Sequence, residues 1–197
     1  MTKKTAASAA TPNSGLGSQL RQRRRAKGLT LSELSSAAGL SVGLLSQIER
    51  GISSPSLKSL MQISAALGIP ASWLFDEGSS ESPAEKGLVV RRAARKRIDL
   101  GTFGVTKELL SPDLGGGLQY YLVSIRPGGQ SSVETYTHPG EEAGLVLGGT
   151  LELTVDNRTV VLYEGDSFRF SSSVPHRYAN PGTTPTSVAW VNSLAFS

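Results

Sequence analysis

"LSVGLLSQIERG", residues 40–51, decides the reading of the first third of the chain. On a helix turning 100° per residue, Leu45 and Ile48 point one way, with Leu44 at the margin. Val42, Gly43, Ser46, Gln47 and Arg50 point the other way. A helix that only buried a stripe would take a better helix former than Gly43 and charges on its wet side. The outward face is therefore expected to meet something other than water.

The flanking residues supply the frame for this helix. Ser41 caps it and Gly51 follows it. Thr30, with Glu33 three residues on, forms a capping box before a helix over Leu31–Ala38, which gives Leu34 and Ala38 to the same core. Gly39 stands at the sharp turn between the two helices, where positive φ is needed. Upstream, Leu16 and Leu20 lie one turn apart on a helix that stops at Gly28. Downstream, Leu57, Leu60, Ile63 and Leu67 repeat at helical spacing up to Gly68, and Pro70 opens a short fifth helix reaching Trp73, Leu74 and Phe75. The expectation is a five-helix bundle over residues 14–75, preceded by a disordered tail (1–13) and followed by a linker (76–87) without apolar periodicity.

The arrangement is a helix-turn-helix: one helix braces, and the next lies in the major groove of DNA. Gln47 can pair bidentately with adenine, Val42 can meet a thymine methyl, and Gly43 permits close approach. Ser41 and the helix N-terminus can hold a phosphate. Arg21, Arg23, Arg25 and Lys27 can supply backbone attraction. Charge agrees with this division. Residues 1–97 hold 15 Lys/Arg against 6 Asp/Glu, a net +9, whereas residues 98–197 hold 5 against 10, a net −5. A polyanion-binding front half and a different task behind are expected.

The stretches "LRQRRRAKGLTLSELSSAAGLSVGLLSQIERG" and "SPSLKSLMQISAALGIPASWLF" resemble the XRE family of Cro-type helix-turn-helix domains across Leu16–Phe75. The resemblance implies a lambda-repressor-like bundle with the helix-turn-helix at Leu31–Arg50. It also implies base contacts from Ser41, Val42, Gly43 and Gln47, with Arg50 close by, and an Arg24–Glu49 pair that serves as scaffold. Leu31 replaces a glutamine usual in the family, and Ser35 an alanine.

After Asp99 the texture changes to short apolar runs, "LQYYLVSIR", "GLVLGGTLELTV", "TVVLY", "SFRFS" and "SVAWVN", divided by Gly, Pro, Asn and Asp. An all-β sandwich or barrel follows, so the fold class expected is α+β in two domains, the second over residues 88–197. "LVVRRAARKRIDL" is either linker or, from Leu88, the first strand. In "ETYTHPGEEAGLVLGG" (134–149), Glu134, Tyr136 and His138 alternate, which on a strand puts them on one face. Glu142 follows across a Pro-Gly turn, and His176 lies in "EGDSFRFSSSVPHRYANPG" (164–182). His138 and His176 are the only histidines. With Glu142 they make a plausible nitrogen- and oxygen-donor set for Zn, Fe, Ni or Mn.

These spacings resemble both motifs of the cupin superfamily (the double-stranded β-helix barrel): Tyr136-Thr137-His138, Glu142 and Gly149, then Gly165, Ser171, Ser173, His176 and Asn180. Tyr136 stands where a metal-binding cupin has its first histidine. A neutral phenol is a poor ligand for a divalent ion, so a metal on His138, Glu142 and His176 and a metal-free pocket both remain open. An effector entering the barrel is expected to meet Tyr136, His138, Glu142 and His176. Tyr120, Tyr121, Arg126, Phe168, Arg169, Phe170 and Tyr178 are further candidates. An arginine inside would favour a carboxylate, phosphonate or sulfur oxyanion; none inside would favour an amine or a neutral ligand.

The two resemblances together imply a bacterial transcriptional regulator: a cytoplasmic homodimer, joined through the cupin domain, that binds an operator and a small-molecule effector and performs no catalysis. A metal-dependent cupin enzyme fused to a DNA-binding domain is the alternative. A DNA-organising protein whose barrel only dimerises is a third reading. The chain has no cysteine, which excludes disulfides and thiolate metal sites, and no apolar run approaches the ~18 residues needed to cross a membrane.

Overall fold

A computed structural model describes residues 14–69, 85, 87–112 and 117–193. Four α-helices come first: α1 (Ser14–Ala26), α2 (Leu31–Ala38), α3 (Val42–Glu49) and α4 (Leu57–Leu67). The expected fifth helix at residues 70–75, the tail at 1–13 and most of the linker lie outside the described residues.

Local chemistry sets the helix ends. Thr30 Oγ1 accepts from the Glu33 N–H at 3.2 Å, and Glu33 Oε2 accepts from the Thr30 N–H at 2.7 Å, which completes the capping box. Gly39 adopts φ 64°, the left-handed turn between α2 and α3. Ser41 Oγ caps α3 by accepting from Leu44 N–H, and Ser56 Oγ caps α4 from Ser59 N–H. Leu16, Leu20, Leu34, Leu45, Ile48, Leu57, Leu60, Ile63 and Leu67 are all buried. At Gly17, α1 approaches α3 so closely that a Cβ would lie 2.3 Å from the Ile48 carbonyl oxygen.

Nine strands follow, all paired antiparallel: β1 (Arg97–Asp99), β2 (Val105–Leu109), β3 (Leu118–Ile125), β4 (Glu141–Gly148), β5 (Thr150–Val155), β6 (Arg158–Tyr163), β7 (Ser167–Ser171), β8 (His176–Ala179) and β9 (Thr186–Ser193). The first strand starts at Arg97 and not at Leu88; Arg92–Ala94 form a 3₁₀ turn. One sheet has the order β1-β2-β3-β9-β4-β7 and the other β6-β5-β8. Alternate residues of the large sheet point inward. Register aligns Gln119, Asn192, Glu142 and Phe170 in one row, and Tyr121, Trp190, Gly144 and Phe168 in the next. Tyr178 of the small sheet meets Trp190 of the large one at a ring separation of 4.7 Å, so the two sheets face each other across one core.

The helices rest on this β domain through α4. Its first residue, Leu57, has an N–H with no partner inside the helix, and that group donates to the Ser131 carbonyl at 2.9 Å. Lys58 next to it forms an ion pair with Glu134.

Candidate functional site

The outward face of α3 matches the sequence expectation. Ser41, Val42, Gly43, Gln47 and Arg50 are exposed, while Leu45 and Ile48 are buried. A Cβ at Gly43 would meet nothing within 4 Å, so packing does not demand glycine there. Arg21, Arg25 and Lys27 are exposed on or just after α1, with the Lys27 ammonium beside Gly68 at the end of α4. Arg24 turns inward and makes a bidentate pair with Glu49, 2.7 Å from Nε and 2.9 Å from Nη2, while its Nη1 donates to the Leu29 carbonyl. The expected division between Arg24 and its exposed neighbours is present.

The second cluster gathers residues from three separate segments. Glu142 is the second residue of β4 and is almost fully buried. Its Oε1 accepts from His138 Nε2 at 2.9 Å and its Oε2 from Trp190 Nε1 at 3.1 Å. His176 opens β8 with no exposed surface. Its Nδ1 donates to the Val174 carbonyl at 2.8 Å, which leaves the Nε2 lone pair unprotonated, buried and without a hydrogen-bond partner. That atom lies 4.0 Å from Glu142 Oε2. Ligand atoms of His138, Glu142 and His176 all lie within 4.8 Å of one another.

Tyr136 joins the cluster as a neutral phenol. Its backbone N–H and C=O pair with those of His176, and its ring lies 4.5 Å from the His176 ring. Burial holds its hydroxyl well above the ordinary tyrosine range, and the Glu142 charge adds to this. Glu134 corrects an expectation. The chain around it is not a strand, and Tyr136 makes only a single bridge, to His176. The Glu134 side chain is exposed and reaches Lys58, away from Tyr136 and His138.

The charges inside the β domain set the protonation states. Burial pushes the Glu142 pKa up, but the hydrogen bond from His138 and the nearby Lys107 outweigh it, and Glu142 stays ionised below the usual carboxylate range. Burial lowers His176 below the ordinary imidazole value, so it is neutral, as a metal ligand must be. The donor set of two imidazoles and one carboxylate, with one orphaned imidazole nitrogen, fits a divalent Zn, Fe, Ni or Mn ion.

Of the further candidates, Tyr121 and Tyr178 are buried inside, Phe168 and Phe170 half-buried against the core, and Tyr120, Arg126 and Arg169 exposed. No arginine of this domain is buried among the described residues. The residue that sequence reasoning missed is Lys107, buried on β2 with its ammonium 4.6 Å from the centre of the Tyr121 ring. Its position in the alternating "VTKEL" run held the only signal: Val105 and Leu109 on either side face inward.

A cavity of about 450 Å³ lies where the two domains meet. Lys58, Met61, Gln62 and Ala65 of α4 form one wall; Tyr136 and His138 lie on the other.

Comparison with known proteins agrees with both halves. Residues 20–74 match the family described as "Helix-turn-helix", and residues 121–192 match "Cupin domain". The chain carries an XRE-type helix-turn-helix domain and a cupin domain. The HTH-type transcriptional regulator PuuR of Escherichia coli (strain K12) is 27% identical over 164 residues, covering 83% of this chain and 86% of PuuR. The HTH-type transcriptional regulator SutR of the same strain is 28% identical over 167 residues, 85% of this chain and 88% of its own. An HTH_3 family transcriptional regulator from Vibrio cholerae has the same fold, with a TM-score of 0.67 at 24% identity over 94% of this chain and 98% of the other.

Proposed function

We propose that this XRE–cupin chain is a transcriptional regulator that binds its operator as a dimer and changes operator affinity when a small molecule enters the cupin domain. The cavity between α4 and the cupin domain carries this reading. A molecule held there touches Gln62 and Met61 of the DNA-binding domain and Tyr136 and His138 of the cupin at once. It therefore binds one arrangement of the domains more tightly than another, which is the requirement for a ligand to shift an equilibrium.

Operator contact falls to α3. Gln47 and Val42 read base edges, Gly43 brings the backbone close, and Ser41 and Arg50 flank the contact. Arg21, Arg25 and Lys27 serve the phosphates. Gly43 supports this assignment, because nothing within the chain requires its lack of a side chain. Dimerisation through the cupin domain is supported by β6, an outer strand of its sheet with Val160, Val161 and Tyr163 exposed. A dimer places two α3 helices in successive major grooves, ~34 Å apart.

His138, Glu142 and His176 would hold a metal if one is used, and it would supply a Lewis-acid anchor for an oxygen atom of the effector. The same triad favours one competing reading, a metal-dependent cupin enzyme with a DNA-binding appendage. Metal analysis of the purified protein, followed by turnover assays with any metal found, separates the two. The regulator reading is tested by selecting operators from random duplexes and then measuring binding with and without cell metabolites. His176→Ala should abolish the metabolite response and spare basal binding. An undiminished response would overturn the assignment of the pocket.

A further inference from the structure

The charges enclosed by the two sheets are unevenly satisfied. Glu142 has both carboxylate oxygens occupied, by His138 and by Trp190. Lys107 has no hydrogen-bond partner among the described residues, and Glu142 acts on it only through its charge. Its side chain runs inward from β2, level with Val123, Val188 and Val146, and ends over the face of Tyr121. Among the described residues it makes no ion pair within 4.0 Å and no hydrogen bond; burial holds its pKa below the ordinary lysine value, and the Glu142 charge opposes that. Cation–π contact offsets part of the loss of water but supplies no acceptor. Beside His176 Nε2, two further buried polar atoms facing the same interior are unpartnered: the Tyr178 hydroxyl and Asn192 Oδ1. Asn192 stands in the inward row between Gln119 and Glu142.

We propose that the effector carries a carboxylate and that Lys107 receives it. The inference rests on the effector reading above and adds the ligand's chemical class. The carboxylate accepts from Lys107 inside the β domain, with the Tyr178 O–H as a second donor. Asn192 Oδ1 remains to accept from an O–H or N–H on the same molecule. Each Glu142 oxygen already accepts one hydrogen bond, whereas the Lys107 amine makes none among the described residues.

The test uses the full-length protein after dialysis against EDTA, which removes any metal as a rival anion site. Acetate, succinate and glutarate at tens of millimolar are each compared with the matching neutral amide and with inorganic phosphate. The readouts are thermal unfolding and Trp190 fluorescence, the latter sensitive because the indole N–H bonds to Glu142. At least one carboxylate is expected to raise the unfolding temperature by about 2 °C or more, its amide much less, and Lys107→Met should remove the difference. If Lys107→Met does not fold, the carboxylate–amide contrast in the wild type decides by itself. Equal shifts from acid and amide, no shift from any carboxylate, a full shift in Lys107→Met, or a response to phosphate alone each overturn the proposal. Operator binding measured on the same samples keeps the two readings apart. If cell metabolites still change operator affinity while the carboxylates fail, only the Lys107 assignment is lost.

Discussion

Glu49→Ala should unfold much of the helical domain, although Glu49 touches no outward face. The reason is Arg24. Its side chain is only 9% exposed, and two of its three hydrogen bonds end on the Glu49 carboxylate. Removing that carboxylate leaves a buried guanidinium held by the Leu29 carbonyl alone. Breaking a buried ion pair from one side costs about 3–5 kcal/mol. At about 0.05–0.15 kcal/mol per residue, the described helical segment, residues 14–69, is worth about 3–8 kcal/mol in total. The loss therefore consumes most of its margin. Denaturant titration followed by far-ultraviolet circular dichroism reads this selectively, since every described α-helix lies in that segment. The control is Arg24→Met combined with Glu49→Leu, which removes both charges and should come within about 1 kcal/mol of wild type or exceed it. A single variant that loses less than about 1 kcal/mol, or a double variant as unstable as the single, would refute the claim that the cost is an uncompensated charge.

Other outcomes follow from the same geometry. Gln47→Ala should weaken operator binding by about 1–3 kcal/mol and relax one or two base positions in a random-duplex selection; an unchanged preference would remove Gln47 from the reading set. Arg21→Ala should lower affinity for all duplexes alike and reduce the salt slope by about 1, so a sequence-selective loss would contradict a phosphate role. Gly17→Ala should destabilise the helical domain by about 1–3 kcal/mol, because its Cβ would overlap the Ile48 carbonyl; a melting temperature equal to wild type would show that α1 and α3 separate freely.

The helical half was legible because its signals are local. Thr30 with Glu33, Gly39 and Ser41 each fix a helix end within a few residues, and the wheel of α3 sorts Leu45 from Gln47 without knowledge of the rest. The His138–Glu142–His176 cluster was legible through spacing alone. Glu134 was misread because alternation was taken as strand geometry in a segment that makes only one bridge. Lys107 escaped because a lysine in an alternating strand reads as solvent-facing by its chemistry; its neighbours Val105 and Leu109 say otherwise, and pairing with β3 puts it among inward residues. The wall that α4 contributes to the cavity depends on contacts between residues far apart in the chain, such as Lys58 with Glu134, and no local pattern reports those.

The seating of α4 has a mechanical consequence. Leu60, Ile63 and Leu67 of α4 belong to the same buried core as Leu45 and Ile48 of α3. The Leu57 N–H bond to the Ser131 carbonyl and the Lys58–Glu134 pair beside it are then polar ties that any displacement of the helices over the β domain has to strain.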